Sequence, residues 1–264
     1  MLGRGMAART PRLYVLPGSH PCAAVMVALE LKRIAYDRID FLPLSQLLLG
    51  PLLYRATTVS ALRIDGERIV GSRQIMRRLD ALVPDPALLP PPGDPAYARV
   101  LEAERWGNDV FQDVPRRLLV AALARIPSSM MSYAGDAKLP LPIPVLRPTL
   151  PLATRLIVKQ RRADDQTVSA DLAALPRQLE RIDAWIADGL LGGEQPNAAD
   201  LQIGSSIRLL QSIDDVRPLI EGPPARPSAQ LTRYFPPIAG EIPAGVLPAE
   251  WLPAPAGVSG SHQN

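Results

Sequence analysis

The chain is 264 residues long, 47% hydrophobic and carries a formal net charge of +3. That allows one large or two modest domains with a sizeable core, and it offers no basic stripe of the kind a nucleic acid needs. A single cysteine, Cys22, excludes an intramolecular disulfide and a Cys-rich zinc site, and the two histidines, His20 and His262, lie too far apart in sequence to support a metal site.

Residues 1–9 lack the apolar core of a signal peptide. The apolar stretch Leu118–Ala124 is bracketed by Arg116, Arg117 and Arg125 and is too short to span a bilayer. A soluble, cytoplasmic protein without a membrane partner is expected.

Leu13–Leu16 is a short apolar run ended by Pro17-Gly18 and reads as a buried strand. Ser19 then opens a helix with Pro21 in its first turn, continuing through Val25, Ala28, Leu29 and Lys32 to about Arg33. Tyr36–Phe41 reads as a second strand. Residues 42–55 form a looser segment, a helix broken at Gly50-Pro51. Val59–Ile64 and Glu67–Val70 read as strands joined by a tight Asp65-Gly66 turn. Ser72 starts a helix through Ile75, Leu79 and Leu82, which completes the order β-α-β-α-β-β-α.

Residues 85–94 are Pro-rich and suit a linker. Only helical patterns follow. Val100, Ala103, Gly107, Val110 and Val114 give one face of a single long helix. Residues 126–151 are Pro-rich and take no regular assignment. Leu172, Leu175, Leu179, Ile182 and Ile186 form a second stripe, interrupted only by Pro176, and Asn197–Ser212 is a further helix after a turn at Gly189–Pro196. From Gly222 prolines recur among Tyr234, Phe235 and Trp251, as in a tail laid over the surface whose last ten residues are disordered. The expected units are therefore residues 10–84, residues 95–221 and a tail over 222–264.

Four segments, in order and at the right spacing over most of residues 12–221, resemble the glutathione-transferase superfamily. Pro17-Gly18-Ser19-His20-Pro21-Cys22, followed by Ala28-Leu29-Glu30-Leu31-Lys32, resembles its strand-turn-helix start, with Ser19 at the catalytic position. A helix N-terminus offers unpaired N–H groups and partial positive charge. A hydroxyl there can donate to a bound sulfur and favour the thiolate, which is the nucleophile. The plainer role for Ser19 is to cap the helix.

Thr58-Val59-Ser60-Ala61-Leu62-Arg63-Ile64-Asp65-Gly66 resembles the family's Val-Pro-x-Leu segment, in which a cis-proline aligns backbone with the cysteinyl part of the tripeptide. Ser60 stands in the proline's place. Either the peptide before it is trans and the thiol-binding edge is rearranged, or it is cis, a rare state away from proline. Gly71-Ser72-Arg73-Gln74-Ile75 resembles the family's Glu-Ser-x-x-Ile, whose serine holds the γ-glutamyl carboxylate, with Gly71 replacing the acid. Asn197-Ala198-Ala199-Asp200 resembles its capping box before the central helix of the second domain.

The resemblance implies a thioredoxin-like N-terminal domain followed by an all-helical C-terminal domain. It implies catalysis at Ser19, thiol binding by Ser60, Ala61, Ser72, Arg73 and Cys22, and a hydrophobic substrate site from Tyr97, Trp106 and Phe111. Cys22 also reads as a small buried residue of the helix. Conjugation of glutathione, or another low-molecular-weight thiol, to a small hydrophobic electrophile follows, in a homodimer, with glutathione as cosubstrate and no metal or bound cofactor. The changes at Ser60 and Gly71 support a second reading, a non-catalytic binding or structural protein on the same fold.

Overall fold

The computed structural model describes residues 10–135, 137–138, 147–238 and 240–253. The expected disorder of the last ten residues falls outside that range.

Four short strands, β1 (Arg12–Val15), β2 (Asp37–Asp40), β3 (Ala61–Ile64) and β4 (Glu67–Val70), form one sheet in the order β2-β1-β3-β4. β1 runs parallel to β2 with Arg12 opposite Asp37, and antiparallel to β3 with Leu13 opposite Leu62. Both faces of β1 are covered, which explains its unbroken apolar run. Leu13 and Val15 enter the core that α1 (His20–Leu31) and α3 (Ser72–Leu82) complete, while Tyr14 packs on the other face with Phe41 and Tyr54. The β3–β4 turn has positive φ at Asp65 (49°) and Gly66 (84°), the geometry that matches the strand twist.

The expected break at Gly50-Pro51 does not occur. α2 (Ser45–Leu53) runs through both residues. Proline removes one helical N–H bond, and Pro51 is exposed, so water can serve the freed carbonyl. Gly50 answers a different need: a Cβ there would lie 2.1 Å from the Ala56 carbonyl oxygen.

The linker of residues 85–94 is irregular but anchored. Lys32 is buried, and its ammonium donates to Asp80 and the Val83 carbonyl at 2.6 Å each and to the Pro86 carbonyl, which satisfies all three donors. Asp80 in turn accepts from the Leu88 and Leu89 amides.

Beyond the linker come α4 (Pro95–Trp106), α5 (Asp113–Arg125), α6 (Leu150–Arg161), α7 (Asp165–Ala187) and α8 (Ala198–Gln211). The single long helix expected over residues 100–114 is instead two, joined by a π turn at Gly107–Phe111. The wider turn adds one residue. Val110, expected inside, is 46% exposed, and Phe111 takes its place in the core. The stripe of α7 continues unbroken past Pro176, with Leu172, Leu175, Leu179 and Ile182 fully buried.

α8 is buried nearly all round and packs on α1, so it belongs to the cores of both halves. Its capping box is complete. Asn197 accepts from the Ala199 and Asp200 amides, and Asp200 accepts from the Asn197 amide at 2.9 Å.

The described part of the tail is not laid over the surface. Leu231, Ile242 and Leu247 are buried in the helical core, and Ile242 exchanges backbone hydrogen bonds with Ser212 and Asp214. Proline limits the tail to short 3-10 turns at Pro227–Tyr234 and Ala249–Trp251 and one isolated bridge at Ile242, but it does not prevent burial, because the flanking apolar residues still gain by leaving water. Among the described residues no helix is long and apolar enough to cross a membrane.

Candidate functional site

A cavity of about 520 Å³ lies between the sheet domain and the helices. The N-terminal half supplies the Leu16–Pro21 turn, the start of α2, Thr58 and Val59, and Val70–Ser72. The N-termini of α1 and α3 therefore reach one space. Each brings first-turn N–H groups that no helical carbonyl satisfies.

Ser19 lines the cavity as the N-cap residue of α1, half-buried, and its hydroxyl caps no amide of the helix. Cys22 is in the core, and burial raises its thiol pKa, so it is an inert neutral group outside the cavity lining.

The Val59–Ser60 peptide is cis, which decides between the two alternatives left by the sequence. Val59 and Thr58 face the cavity. Ser60 lies behind them with a buried hydroxyl that has no partner, and its carbonyl accepts from the Gly71 amide at 2.9 Å. Ala61 packs against Tyr14, Phe41 and Tyr54 and does not line the cavity.

Ser72 lines the cavity as the first residue of α3 and donates to Gln202 Oε1 at 2.9 Å. The Gln202 amide donates to Gln112 Oε1 at 2.7 Å. One polar chain thus links α3, α8 and the start of α5. His20 of α1 lines the cavity, and its Nε2 is buried without a partner. Burial first, then Arg116, holds the His20 pKa well below its ordinary value, so the imidazole is neutral.

Gly71, in the family's acidic position, has φ of 94°, a conformation that disfavours side chains. A Cβ there would also meet Gln74 Oε1 at 2.6 Å. Arg73 does not turn to the cavity. It donates to Glu104 at 3.2 Å, and Arg77 donates to the same fully buried carboxylate at 2.8 and 2.5 Å.

The opposite wall is mainly apolar, from Leu119, Val120 and Leu123 of α5, Met130 and Met131, and Ala153 and Ile157 of α6. None of the three expected aromatics is there. Phe111 is fully buried and stacks on Trp106 with ring centroids 5.3 Å apart, Trp106 meets Trp185 edge-on, and Arg181 lies over both indoles. Tyr97 sits half-buried near Arg77. For Phe111 the π turn is the physical reason, since it rotates the ring into the helical core, while Tyr97 and Trp106 lie before the turn on a helix that does not line the cavity.

The sequence did not single out His20, Gln46, Gln112, Arg116 or Arg161 as cavity residues. The one local signal was the Arg116–Arg117 pair beside an apolar run. It divides, with Arg117 bidentate on Asp171 at 2.6 and 2.8 Å and Arg116 facing the cavity.

No protein-family model and no curated protein sequence matches the chain. Solved structures do. A glutathione S-transferase from Rhodospirillum rubrum F11 superposes with a TM-score of 0.56 at 19% identity over 85% of each chain. Glutathione transferase F7 from Populus trichocarpa gives 0.55 at 14% identity, over 85% of this chain and 91% of that one. A theta class glutathione S-transferase from the citrus canker pathogen Xanthomonas axonopodis pv. citri, solved with glutathione bound, gives 0.54 at 18% identity over 86% and 90%. The fold of this chain is the glutathione-transferase fold.

Proposed function

We propose that the protein binds glutathione, or another small thiol, across the N-termini of α1 and α3 and conjugates it to a small, largely apolar electrophile held against α5 and α6. One observation carries this reading: the two helix N-termini open into a single cavity whose far wall is apolar. The likeness in fold to transferases, one of them solved with glutathione bound, agrees with it.

In this reading the Ser19 hydroxyl, free of capping duty, donates to the sulfur. The partial charge at the start of α1 lowers the thiol pKa further. The thiol proton leaves to solvent, the thiolate forms a bond to the electrophilic carbon, and that carbon's bonding pair moves to its acceptor or leaving group. Proximity of the two reactants supplies much of the rate. The backbone at Val59 docks the cysteinyl part. The first amides of α3, with Ser72, hold the γ-glutamyl carboxylate. Glutathione is a cosubstrate, and the scheme uses no metal or bound cofactor. A cytoplasmic homodimer belongs to the same proposal, by resemblance.

A second reading, a non-catalytic binding protein, draws support from Ser72, whose hydroxyl is already donated to Gln202, and from Gly71, which leaves no acid for the γ-glutamyl end. Isothermal titration with glutathione, beside Ser72→Ala, separates the two. Saturable binding that weakens in the variant supports the thiol site and justifies a conjugation screen. No heat at millimolar glutathione sinks the glutathione reading.

A further inference from the structure

The electrophile side of the cavity is not uniformly apolar. Arg116 of α5 and Arg161 in the last turn of α6 both line it, and no carboxylate does so among the described residues. Arg116 donates to Asp113 one turn earlier on its own helix, a carboxylate that Arg117 also approaches at 3.9 Å. Arg161 has no hydrogen bond or counter-ion among the described residues. Its place at the end of α6 complements that helix's dipole, which accounts for a cation at this position but not for one lining a cavity.

The two guanidiniums are close enough to disfavour each other. The Arg116 pKa is brought down to about 10, by burial first and Arg161 next. Both also act on His20, the neighbour of Ser19 in sequence, so the cationic pair lies within electrostatic reach of the Ser19 end of the cavity. Leu119, Leu123 and Ile157 supply apolar surface beside it.

We propose that Arg116 and Arg161 form an anion subsite, and that the electrophile is an apolar molecule carrying a carboxylate. The guanidinium fork matches a carboxylate in a bidentate way that a point charge does not. A bound carboxylate would relieve the repulsion between the two cations, and it would orient the apolar body along α5 and α6 toward Ser19. This rests on the proposed transferase reading for its chemistry, but the subsite can be tested without glutathione.

The test titrates the full chain with 4-phenylbutanoate and with its neutral amide, for wild type, Arg161→Gln, Arg161→Lys and Arg116→Gln, with thermal melts to confirm folding. The expected result is a carboxylate bound about tenfold or more tighter than the amide, near 1.4 kcal/mol. That preference is lost in Arg161→Gln and only partly kept in Arg161→Lys, with amide affinity unchanged. Equal affinity for acid and amide in wild type, or no binding of either, overturns the subsite, as does a preference that survives both glutamine variants.

Glutathione titration of Arg161→Gln separates the two proposals. Unchanged glutathione affinity keeps the arginines on the electrophile, while its loss assigns them to the thiol and overturns the inference. A carboxylate preference in a protein that ignores glutathione would leave the subsite standing and the thiol reading fallen.

Discussion

Among the helices that begin with residues favouring N-capping, α8 and α1 begin differently. At the start of α8 the box is closed. Asn197 accepts from two amides, and Asp200 accepts from the Asn197 amide and, at 2.8 Å, from the Gly192 amide. At the start of α1 the Ser19 hydroxyl caps nothing, and the first turn opens on the cavity. The difference separates two uses of the same chemistry. A closed cap spends its polar groups on the fold, whereas an open one leaves donors and positive potential for a ligand.

Breaking the closed cap has the largest effect. Asp200→Ala leaves the Gly192 and Asn197 amides without their acceptor in a buried place, at about 1–3 kcal/mol each. A loss of about 3 kcal/mol or more in denaturant unfolding is expected, with glutathione affinity unchanged in the protein that remains folded. A loss below about 1 kcal/mol would mean that water replaces the carboxylate and that the cap is less closed than its geometry implies.

The same residue makes a pH prediction. Burial pushes Asp200 from its ordinary 3.8 up to about 6. The folded state therefore holds a proton that the unfolded chain releases, so this group's contribution to stability falls as pH rises from about 4 to about 6. At 1.36 kcal/mol per unit the fall is about 3 kcal/mol at most. His20 acts with the opposite sign. Its folded pKa lies below 6.5, and it costs stability as pH falls through that value. The readout is thus the difference between wild type and Asp200→Asn, which should lose the Asp200 slope while keeping the His20 one. Parallel stability curves for the two proteins from pH 4 to 6 would refute the assignment.

Asn197→Ala comes next, at about 1 and up to about 2 kcal/mol. It removes the acceptor of two amides but leaves Asp200 to hold Gly192. A cost as large as that of Asp200→Ala would show the box acting as one unit rather than as two partners.

The two helix starts also mark how far the sequence could be read. The capping box, the Asp65-Gly66 hairpin and the stripe of α7 were legible, because each is fixed by residues a few positions apart. Val110 and Phe111 exchanged roles because a π turn adds one residue. Gly107 lies so close to α8 that a Cβ would fall 2.8 Å from Ile203, a contact that no local period encodes. The tail was misread for a related reason, since proline content reports backbone geometry and not burial. Within the site, Ser19 and Ser72 were legible from helix starts. Arg73 was drawn away by Glu104, thirty-one positions on, and Arg116 and Arg161 meet only through the packing of α5 on α6.

The smallest stability effect belongs to Ser19→Ala, and it is the sharpest test of the comparison. If the hydroxyl caps nothing, removing it changes unfolding free energy by no more than about 0.5 kcal/mol, the usual range for substitutions away from such features. Its cost should appear instead in glutathione-dependent conjugation, as a fall in kcat of about tenfold or more with substrate affinity little changed, because the bond is to the developing thiolate. Ser19→Cys would restore a donor but not the hydroxyl, and should recover only part of the rate. A Tm that drops in Ser19→Ala as far as in Asn197→Ala would mean that Ser19 is a cap after all, and that the two helix starts do not differ in the way their geometry indicates.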